Sequence, residues 1–138
     1  MSITPPRAPP DTLTITQLCR QVGATHRALR FYEEKGLLSP QRINQTRIYS
    51  RREQVRLRLI LSGRRVGFAV EEIRELFETY DKGGRKAQLV RALPLFKERL
   101  AALEQERRKI DVALEALTRA SERLLVKLGA TDTASRAG

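Results

Sequence analysis

Between residues 89 and 128, apolar side chains recur at alternating steps of four and three. They are Leu89, Leu93, Phe96, Leu100, Leu103, Ile110, Leu114, Leu117, Leu124 and Leu128, and Arg107 and Ser121 fill the two remaining places. A repeat averaging 3.5 residues is the seam of a coiled coil. At ~1.5 Å per residue the helix it predicts, over residues 86–128, is roughly 60 Å long. A helix of that length with one apolar stripe needs a helix of equal length against it. No other segment of the 138-residue chain carries such a pattern. The predicted partner is therefore a second copy, in a homodimer, rather than the chain's own head. Pro94 removes a helical hydrogen bond and crowds the preceding turn, which predicts a kink or a restart there. Gly129 reads as a C-cap, and residues 129–138 as a disordered tail. Arg107, near the middle of the seam, either fixes register with Glu104 or Asp111 as its partner or extends outward along its aliphatic stem.

The rest of the chain differs in charge. Residues 1–67 hold 13 Lys and Arg against 4 Asp and Glu, whereas residues 68–138 hold 14 against 12. An excess confined to one half points to a polyanionic partner for that half. Double-stranded nucleic acid is the first candidate and an anionic membrane surface the second. No apolar run reaches the ~20 residues that a membrane span needs. Residues 1–12 contain Pro5, Pro6, Pro9 and Pro10; they lack the apolar stretch of a secretory signal and read as a disordered arm. The expected location is the cytoplasm, on the nucleoid.

Residues 13–81 read as a winged helix-turn-helix followed by a helix pair, so the fold class is mainly α. Thr14 and Gln17 form a capping box for a first helix over about 15–22, which Gly23 ends. Thr25 caps a second helix over about 26–35, which stops at Gly36. Only Gly23, Ala24 and Thr25 separate the two, the tight glycine-containing turn of a helix-turn-helix. Pro40 and the run Asn44-Gln45-Thr46 predict a two-stranded wing through Tyr49. Ser50 and Glu53 form a second capping box, opening a third helix whose apolar face is Val55, Leu59 and Ile60, with Leu57 a further contributor. A fourth helix follows over about 70–80, with the stripe Val70, Ile73, Leu76, Phe77 and Tyr80. Asp81-Lys82-Gly83-Gly84 is a break and a hinge.

A duplex reader places side chains at base edges and anchors itself on phosphates. The second helix offers Thr25, His26, Arg27 and Arg30 at its start and on its exposed positions, and arginine can bond guanine O6 and N7 together. Ala28, Leu29, Phe31 and Tyr32 are too crowded for one buried stripe, so one aromatic should face out. Tyr32 is the one expected there, with its hydroxyl on a phosphate. The wing adds Arg42, Arg47 and Tyr49. Arg51 and Arg52 open the third helix, where free N–H groups also favour an anion. Thr14, at the start of the first helix, completes the candidate set.

These runs also resemble a known family. TITQLCRQVG, THRALRFYEEKGLLSP and SRREQVRLRLILSGRRVGFAVEEIREL are similar to the two head helices and the next helix pair of the MerR family of transcriptional regulators. The resemblance covers about residues 13–80, and the long helix stands where that family has its dimerisation helix. It implies that Arg27 and Arg30 lie in the major groove and that Tyr32, Arg47 and Tyr49 grip phosphates. It further implies that the long helices pair antiparallel, and that the dimer bends and untwists a promoter spacer so that RNA polymerase can engage it. Two departures stand out. Gln45-Thr46 precede Arg47 where the family commonly has Gly-Tyr, and QTRIYSRRE is similar to the branch that controls leucine/isovalerate and acyl-CoA breakdown. Ala69 stands where the family usually has a capping Ser, which predicts a frayed start to the fourth helix.

No metal site, cofactor or catalytic set is expected. Cys19 is the single cysteine and His26 the single histidine, and they fall on different elements. A metal site needs several ligands, and Cys19, beside Ile15, Leu18 and Val22, suits core packing. No paired carboxylates or nucleophile–base set stands out, so no enzyme is predicted. The alternative to a sequence-specific regulator is an architectural nucleoid protein with little sequence preference.

Overall fold

The computed structural model describes residues 11–137, with side chains through residue 130; the expected N-terminal arm, apart from Asp11 and Thr12, lies outside the described residues. The element order is β1 (Leu13–Thr14), α1 (Ile15–Val22), α2 (His26–Glu34), β2 (Gln41–Ile43), β3 (Thr46–Tyr49), α3 (Arg51–Arg65) and α4 (Val70–Ala137). The chain divides into two compact units, residues 1–95 and 96–138.

The first unit is built on local signals that fold as they read. Thr14 Oγ1 accepts from the Gln17 N–H, and Gln17 Oε1 accepts from the Thr14 N–H, which closes the capping box of α1. Gly23 then adopts φ +71°, the left-handed conformation that lets the chain turn. Thr25 caps α2 by accepting from the Ala28 N–H. The wing is larger than a hairpin. β1 pairs antiparallel with β3, Leu13 opposite Tyr49, giving a three-stranded sheet in the order β1-β3-β2. The residues that lead into α1 thus also form one edge of the wing.

The core joins Leu18 and Cys19 of α1, Leu29 and Tyr32 of α2, Leu37, Leu38 and Tyr49, Leu57 and Ile60 of α3, and Phe68, Val70, Ile73 and Phe77. On α3 the expected face is shifted. Leu57 and Ile60 are fully buried, while Val55 and Leu59 are about half exposed. The buried Glu53 and Gln54 accompany Leu57 and Ile60 on the inward side, which sets the rotation of the helix. The second capping box closes on one side only. Ser50 Oγ accepts from the Glu53 N–H, but the Glu53 carboxylate accepts from the Ser39 N–H at 2.9 Å instead. It thereby ties the loop after α2 to the start of α3. At α4 the side chain of Glu72 accepts from the Ala69 N–H at 2.9 Å, so the missing Ser hydroxyl does not leave that backbone group open.

Helical geometry in α4 is interrupted at one residue, Gly84, with φ +80° and ψ −169°. The segment beyond it returns against the segment before. Gln88 Nε2 donates to the Leu76 carbonyl at 3.1 Å, Arg91 Nε pairs with Glu75 at 2.7 Å, and Leu95 packs on the core. Pro94 produces no break: the helix runs through it. It stands ten residues after Gly84, inside the helix, so the Val90 carbonyl loses its helical N–H partner there without ending the helix. Nor does Gly129 end the helix, which extends to Ala137, so the predicted tail is helical that far.

The described residues of the second unit are helical as far as Ala137. Of the seam residues, Leu89, Leu93, Phe96, Leu100, Ile110, Leu114, Leu117, Leu124 and Leu128 are each 54–67 % exposed in the single chain.

Candidate nucleic-acid interface

One face of α2 carries positions 27, 30, 31 and 34, spaced to lie together. Arg27, Arg30, Phe31 and Glu34 are all exposed. Neither Arg27 nor Arg30 has an ion-pair partner among the described residues, so both guanidinium groups are available to an incoming acceptor. His26, at the first helical position, is exposed, with Nε2 3.4 Å from Thr16 Oγ1 on α1. Thr25 is exposed but its hydroxyl is already used as the cap. Thr14 is half-buried and likewise engaged as a cap, so its part is to position α1 rather than to offer a free donor.

The aromatic assignment is corrected by the structure. Tyr32 is 8 % exposed and belongs to the core, whereas Phe31 is 41 % exposed and takes the outward place. Adjacent helical residues point about 100° apart, and Leu29 and Tyr32, three residues apart, face the core together. Phe31 is left outside, edge-on to the Tyr32 ring at 5.7 Å, with the Lys35 ammonium 5.6 Å from its own ring centre. The sequence signal that could have found this is Leu29, whose burial fixes its i+3 neighbour inward.

Tyr49 is corrected too. Its ring is fully buried and its hydroxyl meets no hydrogen-bond partner, so it does not present itself to a phosphate. Burial, reinforced by the charge of Glu33, pushes its phenol up to about 12. Its place is under the wing, where β3 alternates Thr46 and Ile48 on one face with Arg47 and Tyr49 on the other.

The wing arginines meet a residue that sequence reasoning missed. Arg42 and Arg47 stand directly opposite each other across β2 and β3. Glu33, on the inner side of α2, accepts from Arg47 Nε at 2.8 Å and lies 3.9 Å from Arg42 Nη2. Arg47 is half-buried and Arg42 exposed. The only sequence clue was two like charges facing each other on a predicted hairpin, an arrangement that calls for a counter-charge.

At the start of α3, Arg51 is exposed and has no ion-pair partner among the described residues, while Arg52 and Arg56 both bond Asp81 of α4 at 2.9 and 2.8 Å. The hydrogen bond from Arg56 holds the Asp81 carboxyl below the usual carboxylate range. The Arg56 guanidinium also lies 4.7 Å from the Phe77 ring centre. Arg51, Arg52, Val55, Arg56, Leu59, Phe77, Tyr80 and Gln88 line a groove of about 370 Å³. Cys19 is buried, and burial pushes its thiol up. Among the described residues no group of three or more His, Cys, Asp or Glu stands together as metal ligands, and no helix is long and apolar enough to cross a membrane.

Comparison with known proteins agrees with this geometry. Residues 13–80 match the model of the MerR HTH family regulatory proteins, and residues 54–120 match the model described as MerR, DNA binding. The chain is 35 % identical over 95 residues to the HTH-type transcriptional regulator CueR of Yersinia pestis, covering 67 % of each chain. It is 32 % identical over 114 residues to the heavy metal-dependent transcription regulator 2 of Rhizobium meliloti, covering 81 % of this chain and 74 % of the relative. Among solved structures it shares its fold with HiNmlR, a MerR family regulator lacking the sensor domain and bound to promoter DNA. The TM-score there is 0.61 at 22 % identity, over 75 % of this chain and 79 % of that one.

Proposed function

We propose, for a chain that belongs to the MerR family of DNA-binding transcriptional regulators, that it works as a homodimer on a palindromic promoter operator. The observation that carries this reading is the open face of α2, where Arg27 and Arg30 project without partners from a helix fixed at both ends. These two arginines read base edges in the major groove, flanked by His26 and Thr25 at the helix start. Phe31 takes the outward aromatic role beside them. Arg42, Arg47, Arg51 and Arg52 extend the cationic surface onto the flanking phosphates, which fix register and orientation. The exposed seam pairs with its copy in antiparallel fashion, and the twofold axis makes the operator palindromic. Bending and untwisting the promoter spacer brings RNA polymerase onto both promoter elements; a deformation of that kind has an elastic cost of a few kcal/mol that the added contacts offset. The site of action is the nucleoid.

The target genes are those of branched-chain amino acid or acyl-CoA catabolism, a reading supported by the QTRIYSRRE wing. A relative named for heavy-metal dependence points elsewhere. In this chain, however, the single cysteine packs in the core rather than facing a ligand site, and we assign no metal or other cofactor.

The test is binding of the purified protein to its own promoter region and to shuffled DNA of equal length, at two salt concentrations. A preference of roughly a thousandfold at physiological salt is the lower end for specific regulators and is the expected result. If genome-wide selection also yields no preferred fragment, the architectural alternative replaces this reading. Selected fragments lying upstream of metal-transport genes instead of catabolic ones would overturn the target assignment alone.

A further inference from the structure

Glu33 is an acidic residue set within a surface that is otherwise built to meet a polyanion. It does not sit on the open face of α2 but on the side turned to the wing, half-buried, with its carboxylate between Arg47 and Arg42. Those two arginines are Cα partners across the hairpin, on one face of the sheet. Like charges placed directly opposite each other repel, and without Glu33 they would push β2 and β3 apart or swing outward independently. With it, Arg47 is held through Nε, which leaves its two terminal nitrogens directed by a fixed guanidinium plane. A guanidinium oriented by a carboxylate on one edge can still donate from the other. Tyr49, two residues along the same face of β3, is fully buried beneath this joint.

We infer that Glu33 is a positioning residue for DNA recognition: it locks the wing's phosphate-contacting arginines to the helix that reads bases. Sequence preference depends on that lock. Phosphate contacts carry no sequence information by themselves, yet they set the register in which base contacts can form. When the wing is fixed relative to α2, both sets of contacts are satisfied together only on the correct site. When it is released, Arg42 and Arg47 can find phosphates on any duplex, whether or not Arg27 and Arg30 meet their bases. Removing the carboxylate also removes the negative charge that partly neutralises Arg42 and Arg47. The result is tighter binding to random DNA without a matching gain on the operator. This rests on the regulator reading above.

The experiment compares wild type, Glu33→Gln and Glu33→Asp, as full chains, on a fragment selected by the wild type from random DNA and on a scrambled duplex, across a salt series. Thermal melting of each variant is recorded alongside. Glu33→Gln keeps the shape and loses the charge. It is expected to lower the operator-to-random ratio at least tenfold, chiefly by raising affinity for the scrambled duplex. It should also steepen the salt dependence by about one phosphate equivalent. Glu33→Asp keeps the charge at shorter reach and should retain the wild-type salt dependence with an intermediate ratio. A merely structural role would give a lower melting temperature and an equal loss on both duplexes, and that result overturns the inference. So does a Glu33→Gln protein with the wild-type ratio and slope. If Glu33→Gln does not fold, Glu33→Asp decides by the same two readouts. A wild type without preference for its selected fragment removes the regulator reading, and this inference falls with it.

Discussion

The two units of this chain solve the problem of burial in opposite ways. Residues up to Leu95 draw side chains from α1, α2, the sheet, α3 and the first part of α4 into one core, with Leu18, Leu29, Leu37, Leu57 and Ile60 wholly out of water. Beyond Phe96 the described residues form a helix with no second element to close on; apart from the half-buried Leu103, its leucines stand more than half exposed. The first unit thus closes a core of its own as a single chain, whereas the second leaves its seam open. Stability of the head is a property of the fold; in the proposed dimer, stability of the long helix becomes a property of concentration.

Replacing Tyr32 with Ala sharpens that comparison most. Removing a large buried ring should cost about 3–5 kcal/mol, seen in urea unfolding of the head, while sedimentation still reports a dimer. A head as stable as wild type would mean that Tyr32 is not the core aromatic. The reverse experiment is Leu114→Glu. An unpaired charge in a closed interface costs roughly 3–5 kcal/mol, so the dimer should dissociate while the head keeps its near-native spectrum. A variant that remains dimeric at low micromolar concentration would show that the seam is not the interface.

Smaller effects probe the joint beneath the wing. Tyr49→Phe deletes a buried hydroxyl that has no partner, and should leave stability unchanged or raise it by about 1–3 kcal/mol. Its pH dependence has a definite sign. The folded phenol is held at about 12, above the ~10 of an exposed tyrosine. The stabilising contribution of the neutral form is therefore full below pH ~10 and is lost as the pH rises towards 12. Alkaline titration of the melting temperature should fall less steeply for Tyr49→Phe than for wild type. Thr25→Ala removes the α2 cap, at about 1 kcal/mol. Phe31→Ala should change stability by no more than about 0.5 kcal/mol. A stability loss at Phe31 comparable to that at Tyr32 would undo the assignment of inner and outer faces on α2.

What was legible in the sequence was what is decided within one turn of chain. Thr14 with Gln17, Thr25 three residues before the Ala28 N–H it binds, and Gly23 in a left-handed turn all act on neighbours, and each folds as read. The misreadings arise where distant segments decide. β1 is two residues long, too short for any periodicity, and exists because Tyr49 and Ile48 lie beside it. The buried face of α3 passes through Leu57 rather than Leu59 because Glu53 and Gln54 turn inward to serve backbone groups at Ser39, Asp11 and Tyr49. Tyr32 and Phe31 are chemically alike, and only packing chooses between them. The cationic residues were legible as a set, but their division into free and paired members depends on Glu33 and Asp81, each far in sequence from one of its partners.

The turn at Gly84 has a consequence for how this protein can change by descent. Its φ and ψ fall in a region open essentially to glycine alone, and at the neighbouring Gly83 an added Cβ would stand 2.7 Å from that of Ala87. Every missense change of a glycine codon introduces a Cβ. The helices on either side can therefore drift in composition, residue by residue, while the two positions between them admit no near-neutral substitution. Lineages that alter the connection between head and helix must do so by insertion or deletion, in steps that re-phase the whole helix at once.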